Sequence, residues 1–485
     1  MIVMKFGGTS VEDANAIDRV AKIVRARLAD KPVVVVSAMS KVTDGLIAMG
    51  KAASGGDLQA SLDISKSLRE RHARVACELV QGAPLQPLLS ELESAFDRID
   101  ELLGGIAAVR EISARTGDNL YSYGELLSSK IVACAFQARG MNSQMFDSRQ
   151  VMITDSKYGE ALPLFEQTNE RCIAQLAPLV KRNIVPVMGG FIASSEDGVP
   201  TTLGRGGSDF SAAIVGAALD AERIEIWTDV EGMMTVDPRV CSDARSIRVI
   251  SFEEAAELAH FGAKVLHPAT LVPAVQKNIP VYVLNSRDLK SKGTCIQSVA
   301  PPCKTEFRAI AAKKNITIIS ISAPRMLLAH GYLRAVFEVF ERYQIPVDLV
   351  STSEVSISLT VESRLFVAGL VQDLSKLAEV SVEDGKAIVC LVGRKIRGKP
   401  GIAAGVFSAV AAGGINVRMI SQGASEINVS FVIDEKDANS ALQLLHAAFF
   451  PQPKKAKSRK GAKPKVAPGL LSRSASSYRE SRIQS

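Results

Sequence analysis

A lysine, two glycines and two hydroxyl residues stand together in the segment KFGGTS, residues 5–10, directly after a short apolar run. This combination suits a phosphate group, because an ammonium neutralises its charge and a tight glycine turn exposes backbone N–H groups to it. The lysine precedes the glycines, whereas the Walker loop places it after them, and the segment does not have the GxGxxG spacing of dinucleotide loops. The segment therefore predicts phosphate chemistry by a loop of another type.

A second segment of similar character is TTLGRGGSDFSAA, residues 201–213. Its glycines permit a close approach of backbone N–H groups to an anion, and the helix predicted after them points its N-terminus at the same place. Arg205 can bind a carboxylate or a phosphate through two parallel hydrogen bonds. Asp209 stands at the start of this helix, where its local sequence supports a capping role and a functional role about equally.

Apolar runs that are typical of strands buried on both faces of a parallel sheet precede several such turns. They alternate with helical patterns as far as residue 290, and residues 57–140 are mostly helical in pattern. Ligands of open α/β sheets bind beyond the carboxyl ends of the strands, so these turns are expected to meet in one cleft. We therefore predict an α/β domain over residues 1–290 with a doubly wound, mainly parallel sheet. The runs are VVVVSAM (33–39), NIVPVMGGF (183–191), RIEIWTD (223–229) and IPVYVLN (279–285).

The amphipathic segment that follows KFGGTS is predicted to be the first helix. Thr9 or Ser10 is expected to cap its N-terminus through a side-chain oxygen. Glu12 and Asp13 would then lie in its first turn, where acidic side chains interact favourably with the helix dipole.

The C-terminal third contains an internal repeat after a linker at residues 291–306. Gly331 and Gly401 begin two copies of the pattern helix, strand, turn, strand, and a valine follows each glycine after 16 positions. A repeat of this length indicates two copies of a small α+β module. The first copy is assigned to residues 315–386. The second copy lacks a closing strand, so we expect residues 307–314 to supply it and residues 387–450 to form the rest, with the first module inserted in the second.

Charge is distributed unevenly along the 485 residues, whose formal net charge is +7. Residues 451–485 carry ten Lys and Arg against one acid, a net charge of +9, so the remainder carries −2. This basic tail is rich in Lys, Pro, Gly and Ala and is expected to be disordered. Seven scattered cysteines indicate reduced thiols and a cytoplasmic protein, and the sequence shows neither a membrane span nor a signal peptide.

Four long motifs resemble those of the aspartate kinase family, a branch of the amino-acid kinase superfamily with tandem ACT domains, and in particular its monofunctional lysine-sensitive members. They are KFGGTSV, GRGGSD, TDVEGMMTVDPRV and FGAKVLHPAT, and the similarity extends over residues 1 to about 450. The resemblance implies ATP-dependent phosphorylation of the side-chain carboxylate of L-aspartate to 4-phospho-L-aspartate, the first step of lysine, threonine and methionine biosynthesis. Such a carboxylate is already ionised at pH 7, so the nucleophile needs no general base.

Individual roles follow from the resemblance alone. Lys5 matches the lysine that contacts the transferred phosphoryl group, and Asp209 matches the acid that orients it. Mg²⁺ is expected with ATP as MgATP, without a metal site built from protein ligands. The residues that match contacts to aspartate are Thr43, Glu125, Phe191, Arg205 and Ser208. The residues that match contacts to ATP are Lys5, Gly7, Gly8, Thr9, Thr228, Asp229, Met234, Arg239 and Lys264.

The two modules differ at one matched position, where the first has Asp348 and the second has Arg418. An acid there can hold the ammonium of an effector, and Glu354 adds a second acid, which favours lysine over threonine. The first module is therefore the predicted effector site, although a dimerisation module without a ligand is the alternative. The resemblance implies a homodimer or tetramer formed through these modules. The effector residues it indicates are Met326, Ala329, Tyr332, Leu333, Val347, Asp348, Ser353 and Glu354.

Three other functions compete with this one. Another amino-acid kinase, acting on a glutamate derivative, carbamate or a nucleotide, generally lacks the tandem modules. A fused homoserine dehydrogenase is disfavoured because no GxGxxG motif or further domain follows. Nucleic-acid binding through the basic tail is unlikely, since basic runs of this kind are unspecific.

Overall fold

The structure is a computed structural model, and it describes residues 1–262, 268–302, 305–322, 330–394, 396, 399–422 and 427–450. Three of the residues predicted to contact ligands, Lys264, Met326 and Ala329, lie outside these ranges, as does the basic tail. Within the described ranges, no helix has the length and apolar content that crossing a membrane requires.

The N-terminal part is built on a sheet of eight strands in the spatial order β3-β5-β2-β1-β8-β10-β11-β9. All its pairings are parallel except that of β10 with β11. A smaller sheet has the order β4-β6-β7. The strands are β1 (Ile2–Phe6), β2 (Pro32–Val36), β3 (Ser143–Phe146), β4 (Ile153–Thr154), β5 (Val185–Gly189), β6 (Ile192–Ser195), β7 (Pro200–Thr202), β8 (Arg223–Thr228), β9 (Val249–Ser251), β10 (Val281–Asn285) and β11 (Thr294–Gln297).

Helices cover the large sheet and leave β1, β2 and β5 buried along their whole length. This burial on both faces explains the continuous apolar runs, and it confirms the predicted α/β class. Residues 57–140 are mostly helical, as predicted. The helices are α1 (Ala14–Arg25), α2 (Val42–Ser54), α3 (Leu58–Leu79), α4 (Leu85–Val109), α5 (Ala114–Ala138), α6 (Phe165–Lys181), α7 (Gly207–Ala218), α8 (Phe252–His260) and α9 (Val272–Gln276).

The start of α1 differs from the prediction. The helix begins at Ala14, and the Asp13 side chain caps it by accepting a hydrogen bond from the backbone N–H of Ala16 at 2.8 Å. Thr9 and Ser10 belong instead to a short 3₁₀ turn, residues 8–10. The prediction that one of them caps α1 was wrong because the chain completes this turn first. The Ser10 hydroxyl donates to Oγ of Ser286 at 2.8 Å, which ties the turn to the end of β10.

The C-terminal part forms a second sheet of six strands in the order β13-β14-β12-β15-β17-β16, with antiparallel pairing throughout. Its described residues include the helices α10 (Tyr332–Arg342), α11 (Ala368–Leu374), α12 (Ile402–Ala412) and α13 (Ala438–Phe449). The strands are β12 (Ala309–Ser322), β13 (Val350–Thr352), β14 (Ser356–Glu362), β15 (Glu379–Val392), β16 (Val417–Ser421) and β17 (Asn428–Asp434).

The two central strands of this sheet, β12 and β15, run through both of its halves. Residues 309–313 of β12 pair with residues 388–392 of β15, which also pair with β17. Beyond an irregularity near Asn315, residues 316–322 pair with β14 and with the first half of β15. Both halves of the sheet therefore share the strands β12 and β15.

Helix α8 joins the two parts of the molecule. Its residues Glu254, Glu257 and His260 recur at intervals of three and lie on one face of the helix. Glu254 forms a buried ion pair with Arg308 at 2.9 Å, and Glu257 accepts a hydrogen bond from the Asn428 amide at 2.6 Å. His260 lies 3.3 Å from Asp348. The N-terminal part is therefore fixed to both halves of the second sheet through one helix.

Candidate active site

A cleft of about 380 Å³ lies where the carboxyl ends of β1, β2 and β5 meet the N-terminus of α7. Its position agrees with the expectation that the polar turns after these strands converge. Seven of the predicted ligand contacts are among its lining residues, namely Lys5, Gly8, Thr43, Glu125, Phe191, Ser208 and Asp209.

The central contact of the cleft is an ion pair between Lys5 and Asp209. Lys5 is the fourth residue of the buried strand β1, and its Nζ lies 2.6 Å from Oδ1 of Asp209. Asp209 stands in the first turn of α7, whose N-cap is Gly206, so capping is not its role. Both side chains are largely buried, and each fixes the orientation of the other.

At two positions near the cleft, neighbouring backbone comes so close that glycine is favoured. A Cβ on Gly8 would lie 3.0 Å from the carbonyl oxygen of Ala38, and a Cβ on Gly190 would lie 2.7 Å from Cα of Ser208. Gly8 therefore brings the turn after β1 against the segment after β2. Gly190 brings the end of β5 against the first turn of α7.

Two residues at the N-terminal end of α7 adopt a positive φ. Gly206, which precedes the helix, has a φ of 76°. Phe191 also adopts a positive φ, 66°, although it carries a side chain, and its N–H donates to Oγ of Ser211 in α7 at 3.0 Å. A residue held in this conformation indicates that the surrounding structure determines it. The N-terminus of α7, with its positive dipole end, therefore borders the cleft.

Glu125 of α5 is the buried acid of the cleft. Its Oε1 accepts a hydrogen bond from the Ala38 N–H at 3.1 Å, and its Oε2 has no hydrogen-bond partner among the described residues. Burial raises the pKa of this carboxyl to about 8, although backbone hydrogen bonds and the charge of Lys5 act in the opposite direction. A buried acceptor without a partner favours a cationic or hydrogen-bond-donating ligand.

Two features in or beside the cleft were not predicted from the sequence. Lys41 lines the cleft beside Thr43 and has a φ of 69°, and the motif around it gave no sign of this conformation. Asp118 of α5 accepts hydrogen bonds from both the backbone N–H and the hydroxyl of Thr202, at 3.1 and 2.6 Å. Asp118 thus attaches the strand before the glycine loop to the helix that carries Glu125. Its partner is 84 residues away, so no local pattern could have indicated it.

The remaining predicted contacts lie outside the lining of this cleft. Arg205 is exposed between the lining glycines 204 and 206. Thr228 ends β8, and Asp229 follows it at the surface. Gly7, Thr9 and Met234 are partly exposed, and Gly7 donates its N–H to the carbonyl of Trp227 at 3.0 Å. Arg239 is exposed and paired with Asp237 at 2.7 Å.

The predicted effector residues in the described ranges belong to the start of α10 and to the segments on either side of β13. Asp348 Oδ1 is 2.7 Å from Nζ of Lys313, while Asp348 Oδ2 is buried without a hydrogen-bond partner among the described residues. Burial raises the pKa of Asp348, but the hydrogen bonds from His260 and Lys313 outweigh this and hold it below its usual value. Val347 precedes it, Tyr332 and Leu333 begin α10, and Ser353 and Glu354 are exposed beside β13.

Two regions of the chain match known protein families. Residues 1–285 match the amino acid kinase family, and residues 389–449 match the ACT domain. Lysine-sensitive aspartokinase 3 of Escherichia coli is 39% identical over 466 residues, which cover 93% of this chain and 99% of that protein. The chloroplastic aspartokinase 1 of Arabidopsis thaliana is 38% identical over 471 residues, covering 92% of this chain and 80% of that protein.

Solved structures give the same result for the fold. E. coli aspartokinase III in complex with aspartate and ADP (R-state) has a TM-score of 0.81 at 38% identity, covering 93% of this chain and all of that chain. The same enzyme in complex with lysine and aspartate (T-state) has a TM-score of 0.77 at 38% identity, with 93% and 99% coverage. The aspartate kinase of Clostridium acetobutylicum has a TM-score of 0.76 at 26% identity, with 93% and 100% coverage.

Proposed function

The chain belongs to the aspartokinase family, and from that premise we propose that its cleft transfers the γ-phosphoryl group of ATP to the side-chain carboxylate of L-aspartate. The observation that supports this most directly is the Lys5–Asp209 ion pair beside the buried Glu125. The cleft thus offers a cation to a phosphoryl group and an acid to an ammonium, within one space of about 380 Å³. Aspartate in E. coli aspartokinase III supports the choice of substrate.

The proposed reaction needs positioning and charge neutralisation, since the attacking carboxylate is already ionised. Glu125 binds the α-ammonium of aspartate, and Arg205 binds its α-carboxylate. The side-chain carboxylate then attacks the γ-phosphorus in line with the bond to ADP. Lys5, held by Asp209, neutralises charge on the moving phosphoryl group, and the positive dipole end of α7 acts in the same direction.

ATP is proposed to extend from Lys5 and Gly8 toward Thr228 and Asp229 at the end of β8. β8 is the strand next to β1, so these turns lie at the same edge of the sheet. Within the described ranges, no group of three or more His, Cys, Asp or Glu side chains is placed to hold a metal ion. Mg²⁺ would accordingly take most of its ligands from the phosphates and water and would neutralise charge there.

A direct test measures ATP consumption with L-aspartate, with L-glutamate and without an acceptor. We expect consumption that depends on aspartate and is at least tenfold slower with glutamate, whose additional methylene shifts the reacting carboxylate. The product is checked by trapping the acyl phosphate with hydroxylamine. Consumption that is equal with and without aspartate would contradict the proposal.

Binding of aspartate is expected to release a proton below pH 8. The pKa of Glu125 is about 8 in the free protein, so the carboxyl is mostly protonated at pH 7. An ammonium beside it favours the ionised form and lowers this pKa, so the affinity for aspartate rises between pH 6 and 8 and then levels off. Calorimetry in buffers of different ionisation enthalpy measures the proton directly. Glu125→Gln is the matched variant and should bind aspartate more weakly, without proton release; a pH-independent affinity of the unmodified protein would refute this role.

Regulation by L-lysine through the first half of the C-terminal sheet is also proposed, with residues 315–386 as one ACT-like module and residues 307–314 and 387–450 as the other. The buried, unpartnered Oδ2 of Asp348 supports an ammonium ligand there.

The exposed Leu333, Phe337 and Val350, on α10 and on the edge strand β13, support assembly into a homodimer or tetramer. The described cysteines are free thiols, which supports the cytoplasm as the compartment.

A further inference from the structure

The β8–β9 loop, residues 229–248, carries Met234 and Arg239, two of the proposed nucleotide contacts. The second half of the C-terminal sheet, and in particular α13, supports the middle of this loop. Val236 is 2% exposed and belongs to the hydrophobic core formed by α12, α13 and the strands beneath them. The Gln443 side chain donates to the carbonyl of Val240 at 2.9 Å.

His446 of α13 makes more deeply buried polar contacts with the loop than Gln443 does. Only 2% of it is exposed, and both of its ring nitrogens face loop side chains. Nε2 lies 3.0 Å from Oγ1 of Thr235, and Nδ1 lies 3.4 Å from Sγ of Cys241. Its ring stacks on Phe450 with a centroid distance of 4.9 Å and an interplanar angle of 11°. Burial lowers its pKa, and nearby Arg245 acts in the same direction, so the neutral imidazole is favoured at pH 7.

Thr235 connects this imidazole to the backbone of Arg245, in the same loop, and to the backbone of Ile310 in β12. Its N–H donates to the carbonyl of Arg245 at 2.8 Å, and its hydroxyl accepts from the Arg245 N–H at 3.0 Å. Its carbonyl accepts from the N–H of Ile310 in β12 at 2.8 Å. Thr235 is adjacent in sequence to Met234, so its placement decides where the Met234 backbone lies.

We propose that His446 is a positioning residue for the phosphoryl-transfer reaction, acting through Thr235 to hold the β8–β9 loop in the conformation that binds the nucleotide. The second module, which contains α13 and not the proposed effector site, thereby helps to hold the ATP site in place. His446 is 207 positions from Arg239 in the chain and is not among the residues that line the aspartate cleft. The proposal rests on the function proposed above and assigns this additional role to one of its parts.

The effect is expected in the Michaelis constant for ATP and not in that for aspartate. Thr235→Val keeps the shape of the side chain but removes the hydroxyl, so that both Nε2 of His446 and the N–H of Arg245 lose this contact. We expect KM for ATP to rise about three- to tenfold, with KM for aspartate within twofold of the unmodified protein. Thr235→Ser retains the hydroxyl and should behave as the unmodified protein. His446→Leu, which removes both ring nitrogens, should reproduce the effect of Thr235→Val.

Two controls separate the possible outcomes. Ser440→Ala changes an exposed residue of α13 and should leave both constants unchanged. Arg239→Ala tests the role of the loop itself. Thermal unfolding confirms that each variant is folded, and the isosteric Thr235→Val remains informative if His446→Leu does not fold.

The proposal is overturned if Thr235→Val leaves KM for ATP unchanged, or if both Michaelis constants rise together as after a general loss of structure. If Arg239→Ala raises KM for ATP while Thr235→Val does not, the positioning role alone is lost and the proposed function stands. If the unmodified protein shows no aspartate-dependent consumption of ATP, the proposed function itself is contradicted.

Discussion

Replacing Lys5 by methionine is expected to lower kcat about 10²- to 10³-fold, the range found when one preorganised charge-stabilising donor is removed from an active site. Methionine preserves most of the buried aliphatic stem but removes the ammonium that lies 2.6 Å from Asp209. Charge then develops on the transferred phosphoryl group without its nearest cation from the protein. Because this interaction strengthens in the transition state, the KM for aspartate should change much less than kcat.

The orientation of Lys5 by Asp209 gives a second variant for the same hypothesis. Asp209→Asn keeps the size of the side chain and leaves Lys5 without its anionic partner, so kcat should also fall, by a smaller factor. Lys51→Met removes an exposed lysine of α2 and serves as the control for loss of a lysine as such. Steady-state kinetics with thermal unfolding on the same preparations decides the matter. A Lys5→Met protein that is folded and retains more than a tenth of the activity would mean that another group supports the phosphoryl transfer.

Replacing Asp348 by asparagine is expected to raise the concentration of L-lysine needed for half-inhibition tenfold or more. Hydrogen bonds to a charged group contribute about 1.5–3 kcal/mol, and this variant removes the charge of the acceptor that faces the ammonium. Asp348 is ionised at pH 7, because the hydrogen bonds from His260 and Lys313 outweigh the effect of burial on its pKa. Activity without lysine should remain, since Asp348 lies outside the cleft lining.

The chain provides its own control for this prediction. Arg418 occupies the matched position of the second repeat and pairs with Asp434 at 3.2 Å. Arg418→Gln should leave the response to lysine unchanged if the first repeat alone binds the effector. Inhibition curves with lysine and with threonine, recorded for both variants, compare the two amino acids. Equal inhibition of the unmodified and Asp348→Asn proteins by lysine would place the effector site elsewhere.

Features that depend on nearby residues could be predicted from the sequence. The buried parallel strands appeared as apolar runs, and the helices between residues 57 and 140 appeared through their spacing. Lys5 and Asp209 were associated through motif resemblance, because 204 positions separate them and their 2.6 Å contact exists only in the folded chain. The burial that raises the pKa of Glu125 likewise depends on α5 packing against β2 and β5.

Features formed by distant partners could not be predicted. The contacts of His446 with Thr235 and Cys241 require the β8–β9 loop and α13 to meet, and neither segment has a sequence signature for the other. The same holds for Lys313, which pairs with Asp348 and was read only as part of a strand. The capping error at α1 has a local cause: Ser10 and Asp13 are both good N-cap residues, and only the turn at residues 8–10 decides between them.

The two long strands β12 and β15 have a consequence for how the chain is made. Lys313 pairs with Ile388, so the first half of β12 leaves the ribosome well before its partner strand exists. At about 5–20 residues per second, the intervening chain takes roughly 4–15 seconds to synthesise. During that time the half of the sheet that contains β14 can close, whereas the strand that opens the other half has only solvent or a chaperone beside it. The half of the sheet that contains β14 is therefore synthesised before the half that supports the β8–β9 loop.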